Sequence, residues 1–303
     1  MSRAAAMRLG SPFLGAARLA AYLAFTLALI PVQAVLVATG SRFRDRLPYR
    51  YHRICARLLG IALDVVGRPS ADRPMLVVSN HSSYLDIVVL GGLVPGSFVA
   101  KTEVGAWPFF GLLAKLQRTV FVDRKVRNAA AHRDDMRARI EAGDVLILFP
   151  EGTSSDGNRT LPFKTALFSV AGTRAGDRPV TVQPVSVAAT RLDGIPLGRG
   201  LRPLYAWYGD MDLVGHLWRM VGLGRLTVRV QFHDPVTVDD FPSRKALGEH
   251  CWQVIAGGVA AAVSGRPAPE PVPAAPAPAP QAAPPAAEAR ENGPVGAPGA
   301  VPG

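Results

Sequence analysis

The sequence predicts an α/β fold: a single domain with a mostly parallel sheet covered by helices, with an N-terminal membrane-embedded helical segment. Three observations predict it. Short β-branched and aliphatic runs at 75–78, 119–122, 145–149, 180–187 and 226–232 alternate with stretches of helical period, and strands alternating with helices build a sheet buried on both faces. Residues 19–40 contain no Asp, Glu, Lys, Arg or His. From residue 266 onward Pro/Ala repeats replace any apolar periodicity, which predicts an extended, disordered tail. The expected organisation is therefore a membrane anchor over 1–47, a main domain over 48–265 and a Pro/Ala-rich tail over 266–303.

At about 1.5 Å per helical residue, the run 19–40 is long enough to cross a hydrocarbon layer of about 30 Å. Pro31 lies in its middle, where a missing donor bends a helix, so a straight span and a re-entrant helix-break-helix hairpin are both open. A cleavable signal peptide fits less well, because no small-x-small site precedes a polar start. Arg42, Arg44, Arg46, Arg50, Arg53 and Arg57 follow the run, against Arg3, Arg8 and Arg18 before it. The positive-inside rule then keeps the main domain cytoplasmic, and the same arginines suit an anionic membrane surface.

Within the domain, Tyr51, Ile54, Leu58, Ile61 and Val65 fall at helical spacing and predict a packing helix over 51–66. Residues 128–141, ended by Gly143, predict a crossover helix. The 303 residues are 49% hydrophobic with a formal charge of +11. Their pI near 10.3 points to an anionic partner, and the positive mean hydropathy of +0.17 and the 19% charged fraction favour a membrane over nucleic acid. Cys55 and Cys251 are the two cysteines; without CxxC partners they read as buried small residues in a reducing compartment, not as a disulfide framework or zinc knuckle.

Three segments carry chemistry. In residues 77–86, VVSNHSSYLD, a buried strand runs into a helix start and leaves His81 on the turn at the strand's carboxyl end, where α/β sheets build sites. A neutral imidazole there accepts a proton from an attacking hydroxyl, and Asp86, if it lies in the first helical turn, holds the tautomer. Ser83 to Asp86 also matches a capping box, so helix capping competes with catalysis. No HExxH or second histidine at ligand spacing indicates a metal. The loop FPEGTSSDG at 149–157 follows a strand, ends in a turn-forming Asp-Gly and permits close backbone approach to a polar ligand. It lacks the Walker and GxSxG patterns. Thr119 to Arg124, TVFVDR, delivers a guanidinium at a strand end, where it grips a phosphate or carboxylate or pairs with Asp123 or Asp144.

In that order and rough spacing these segments, with VQPVSV at 182–187, resemble the glycerolipid and lysophospholipid acyltransferases of the 1-acylglycerol-3-phosphate acyltransferase type, over about 58–232. The resemblance implies that the H-x4-D pair His81 and Asp86 is catalytic. It implies substrate-binding roles for Lys101 in KTEVGAWPFFG, Arg124, Glu151, Gly152, Thr153 and Pro184, with no metal or cofactor. Members that accept lysophosphatidic acid commonly carry EGTR, whereas this chain has Ser154. The third segment is closer to bacterial lyso-ornithine lipid O-acyltransferases, with Arg159 or Lys164 available to replace the charge.

The implied activity is O-acylation of a lysolipid hydroxyl, leaning to lyso-ornithine lipid in ornithine lipid synthesis, with 1-acyl-sn-glycerol-3-phosphate as the alternative acceptor. The acyl donor is acyl carrier protein or acyl-coenzyme A, and the setting is the cytoplasmic face of a bacterial inner membrane. A lipid hydrolase using His81 and Glu151 and a non-catalytic membrane adaptor are the rivals from other classes.

Overall fold

The computed structural model describes residues 9–122 and 129–266. The chain opens with α1 (Pro12–Ala38), capped by Ser11, whose Oγ accepts from Leu14 N at 3.3 Å. Its 27 residues reach about 40 Å. It is long and apolar enough to cross a membrane and is little buried, with Phe13, Leu27 and Val35 exposed. Pro31 lies inside α1 without breaking it, so a hairpin bent at Pro31 is not what forms. The chain turns instead past Ala38, through Gly40 at φ 64°, into α2 (Arg46–Leu58).

The expected helix over 51–66 is corrected here. The helix stops at Leu58, Gly60 takes φ 77°, and Ile61–Val66 forms strand β1. Ile61 and Val65 satisfy the helical period and a strand's period of two alike, and the glycine decides between them. Strands β2 (Met75–Ser79), β3 (Ser97–Lys101), β4 (Val120–Val122) and β5 (Val145–Leu148) follow, with α3 (Leu85–Gly91), α4 (Phe110–Leu116) and α5 (Ala129–Glu141) between them. A small hairpin, β6 (Arg174–Ala175) and β7 (Arg178–Pro179), precedes the long β8 (Thr181–Leu192) and short β9 (Ile195–Pro196). Helix α6 (Leu213–Gly222), β10 (Leu226–Phe232) and α7 (Arg244–Ser264) complete the described chain.

Among the described residues the main sheet has the order β1-β10-β8-β2-β5-β3-β4, with β9 pairing β8. The pairings are parallel except those of β8 with β10 and β9. Alternation along the central strands sends Met75, Val77 and Ile147 into one apolar layer and Leu76, Val78, Leu146 and Leu148 into the other. The first layer packs under α2, α3 and α6; the second is closed by α5 and α7. Cys55 is buried in the first and Cys251 in the second, both as free thiols.

The first helix is fastened to the domain by a charged clasp. The Arg18 guanidinium donates to the carbonyls of Val221, Leu223 and Gly224 over 2.5–3.2 Å, satisfying groups at the end of α6 that have no partner within the helix. Gly10 and Gly15 meet Gly222 closely enough that a Cβ at either would touch its backbone. Replacing Arg18 by Ala is expected to lower unfolding stability by roughly 1.5–3 kcal/mol, read as a shifted thermal midpoint in detergent, while Arg18→Lys restores part of the loss.

Candidate active site

Strand β2 ends at Ser79, and the next residue continues the sheet with its side chain. Asn80 Nδ2 donates to Val187 O at 2.9 Å and its Oδ1 accepts from Val187 N at 2.8 Å. The backbone is thereby freed to turn, and His81 occupies the turn. Two main-chain bonds hold it from outside: Ser155 N donates to His81 O at 2.9 Å and Trp207 N to Ser82 O at 2.8 Å.

Asp86 lies in the first turn of α3, as the five-residue spacing requires, and its Oδ2 is 2.9 Å from His81 Nδ1. The same oxygen accepts from Ser82 N at 2.7 Å and Ser83 N at 2.9 Å, and Oδ1 accepts from Tyr205 Oη at 2.7 Å. Helix-start binding and histidine pairing are thus one arrangement. The Asp86 side chain has 0% exposure and that of His81 21%. Tyr205 is buried, and that burial, followed by the charge of Asp86, holds its phenol well above the usual range, so it stays a donor. Among the described residues nothing bonds His81 Nε2. The imidazole stacks on Phe149, with centroids 4.2 Å apart and planes 20° apart, and Phe149 stacks in turn on Phe98 at 6.1 Å.

The FPEGTSSDG loop leaves β5 beside this turn. Glu151 is 2% exposed, and its Oε1 accepts from His81 N at 2.9 Å while Oε2 accepts from Leu161 N at 3.1 Å. Burial pushes its carboxyl up to about 8, against the pull of both donors. Gly152 sits at φ 66°, its N–H closing a turn on Phe149 O at 3.1 Å, and Thr153 is exposed. His81, Asp86, Glu151 and Gly152 therefore converge. Pro184 is buried one strand away, opposite Val78 in β8. Past the end of β10, His233 N still donates to Pro184 O at 3.0 Å, and Gln183 Nε2 donates to His233 O at 3.2 Å in place of the N–H the proline lacks. Lys101 ends β3, and Arg124 lies outside the described residues. Neither Ser82 N–H nor Gly152 N–H is available to an oxyanion, since Asp86 and Phe149 already receive them.

Sequence reasoning missed Tyr205, 119 residues from Asp86, and the Asn80 bridge; the first carries no local signal, while an Asn next to the turn histidine was there to be weighed. A further pair, half-buried Tyr84 Oη and buried His216 Nδ1 at 3.0 Å, adjoins the site. Burial, first among its causes, lowers the His216 imidazole to about 4, which keeps it neutral. Among the described residues no cluster of three or more His, Cys, Asp or Glu side chains is arranged to hold a metal ion.

The family model described as Acyltransferase matches residues 63–188. The chain is 45% identical over 255 residues to the lyso-ornithine lipid O-acyltransferase of Brucella abortus, covering 83% of this chain and 96% of that one. It is 40% identical over 256 residues to the enzyme of the same name from Rhizobium meliloti, covering 80% and 88%. The 1-acyl-sn-glycerol-3-phosphate acyltransferase of Neisseria meningitidis matches at 35% over 220 residues, covering 72% and 82%. The crystal structure of the 1-acyl-sn-glycerophosphate (LPA) acyltransferase PlsC from Thermotoga maritima superposes with a TM-score of 0.54 at 25% identity, covering 80% of this chain and 96% of that one. With these relatives and the shared architecture, the chain belongs to the lysolipid acyltransferase family and is an enzyme that transfers acyl groups.

Proposed function

We propose that this enzyme esterifies the free hydroxyl of lyso-ornithine lipid with a fatty acyl group drawn from an acyl thioester, with His81 as general base. The observation that carries the proposal is the 2.9 Å contact between His81 Nδ1 and an Asp86 carboxylate saturated with donors. An acceptor-only carboxylate makes Nδ1 the protonated nitrogen, which leaves Nε2 with a lone pair. Nε2 removes the proton of the lysolipid hydroxyl as its oxygen attacks the thioester carbonyl. Collapse of the tetrahedral intermediate breaks the C–S bond, and the imidazolium returns the proton to the departing thiolate. Asp86 stabilises the imidazolium without taking its proton.

Glu151 is a positioning residue in this reading: with both oxygens on backbone N–H groups, it fixes the height of the histidine turn. Lys101, Arg124, Thr153 and Pro184 remain assigned by motif position, with Arg124 meeting the headgroup. An apolar cavity lined by Tyr84 and Leu85, the neighbours of Asp86 in sequence, and by Ile30, Tyr51, Val88 and Phe98 suits an acyl chain. The relatives at 45% and 40% identity support lyso-ornithine lipid as acceptor. The Neisseria and Thermotoga relatives favour lysophosphatidic acid as the second reading. The protein's setting is a membrane, and the net charge of +11 supports an orientation with the domain at an anionic cytoplasmic leaflet and an acidic acyl carrier protein, rather than coenzyme A alone, as donor.

Purified protein in detergent, given labelled acyl carrier protein with either lyso-ornithine lipid or lysophosphatidic acid, is expected to acylate the first preferentially; equal or better transfer to the second overturns the acceptor assignment. His81→Ala should lower kcat about 100-fold or more, and Asp86→Asn should act in the same direction. Tyr205→Phe removes one charged hydrogen bond and is expected to lower kcat by about 10-fold with KM little changed. Because Glu151 binds its proton more tightly folded than unfolded, it contributes stability that falls as pH rises from about 4.5 through about 8. The difference in denaturation midpoint between wild type and Glu151→Gln should fall across that window, a comparison that cancels the opposite contribution of buried histidines such as His216.

A further inference from the structure

The cavity that suits an acyl chain has apolar walls and one polar corner. Beyond Gly15, the buried positions of α1 are Tyr22, Thr26 and Gln33, none of them aliphatic. The first two are satisfied against the domain: Thr26 Oγ1 donates to Tyr22 O at 2.7 Å and meets Tyr51 Oη at 2.9 Å. Gln33 is satisfied only by half. Its Nε2 donates to Arg44 O at 2.8 Å and to Leu116 O at 2.9 Å, while its Oε1, buried, receives no hydrogen bond among the described residues.

A second acceptor stands at the same corner. His52 Nε2 is 2.5 Å from Gln117 Oε1, and Gln117 Nε2 donates to Gly96 O at 3.4 Å. The amide oxygen therefore faces the ring, and Nε2 carries the hydrogen. Nδ1 is left with a lone pair, buried and without a donor among the described residues. Burial lowers this imidazole to about 4, which keeps it neutral. Helix α3 backs the ring, where a Cβ at Gly91 would stand 2.5 Å from Cδ2.

Gln33 and His52 are 6% and 5% exposed, both line the cavity, and both bond to the end of α4, at Leu116 and Gln117. This corner lies away from the catalytic pair. At Arg18, α1 meets the end of α6, the helix that Tyr84 touches through His216; it reaches Leu116 only at Gln33, about 22 Å further along its axis. Two acceptors without donors are complementary to a group that donates. A saturated chain lying here covers both lone pairs and supplies no hydrogen, and a site built around such groups rejects a ligand that lacks the matching hydroxyl.

We propose that this cavity takes an acyl chain bearing a hydroxyl group remote from the thioester, and that the hydroxyl donates to Gln33 Oε1 or His52 Nδ1. The assignment rests on the acyl-transfer reading above, with the cavity holding the chain that is transferred. Gln33 and His52 are then specificity-determining residues, and the reacting carbonyl stays at the Tyr84 end.

The test uses the full chain in detergent. Hexadecanoic acid and its hydroxylated forms, with the hydroxyl at mid-chain or at the methyl end, compete against a fluorescent fatty acid; the same chains on acyl carrier protein are offered for transfer to lyso-ornithine lipid. In wild type, one hydroxylated acid is expected to bind about 10-fold more tightly than hexadecanoic acid, with a matching preference in kcat/KM for its thioester. Gln33→Met or His52→Phe should abolish both preferences, and the variant that does so identifies the acceptor. Each preference is a ratio within one protein, so a loss of stability in either variant cancels. Hexadecanoic acid binding wild type as tightly as every hydroxylated form overturns the proposal, as does a preference that survives in both variants or one seen in binding but not in transfer. Absence of His81-dependent transfer from any chain removes the acyl-transfer reading instead, and binding of the free acids still decides whether the corner takes a hydroxyl.

Discussion

A carboxylate with no solvent contact is held in this protein by as many donors as it has lone-pair sites. Asp86 receives the imidazole, two consecutive backbone N–H groups and a phenol. An ionised side chain buried without such partners costs several kcal/mol, so the four donors are a condition of the fold as much as of the chemistry. They arrive from the turn between β2 and α3 and from a segment far along the chain. Each must be in register for the others to be satisfied, and the histidine inherits the precision of the whole set.

The sheet makes that register possible. β2, β5 and β8 are its central strands, covered by apolar layers on both faces, and their parallel pairing brings the ends of β2 and β5 to one edge. The histidine turn and the FPEGTSSDG loop leave from that edge as neighbours. Glu151 then bridges them through main-chain donors, and the Phe98–Phe149–His81 stack sets the plane of the ring. A rigid scaffold with a few short connections does here what a longer active-site loop would do less reproducibly.

Much of this was readable from the residues, and the failures have physical causes. Five-residue spacing between His81 and Asp86 across a strand-to-helix junction foretold their contact, because only a turn followed by a first helical turn brings them together. The segment 61–66 was misread, since Ile61 and Val65 serve both periodicities and only Gly60 separates them. β3, SFVAK, escaped notice because it has a single β-branched residue. Pro31 was expected to threaten the helix, but one proline does not end a helix whose apolar neighbours favour it on both sides. The third segment marked Glu151 as important without disclosing that it faces inward, since burial is a property of the packed structure. Tyr205 is beyond any local pattern: its partner is set by topology.

The clamps on the histidine turn from Ser155 and Trp207 are main-chain N–H groups. A bond of that kind is indifferent to the side chain that accompanies it, proline excepted. The lengths and paths of the segments bearing residues 155 and 207 are therefore constrained whatever their side chains do. A substitution at either position that keeps the backbone path leaves the carbonyls of His81 and Ser82 held and the imidazole in place.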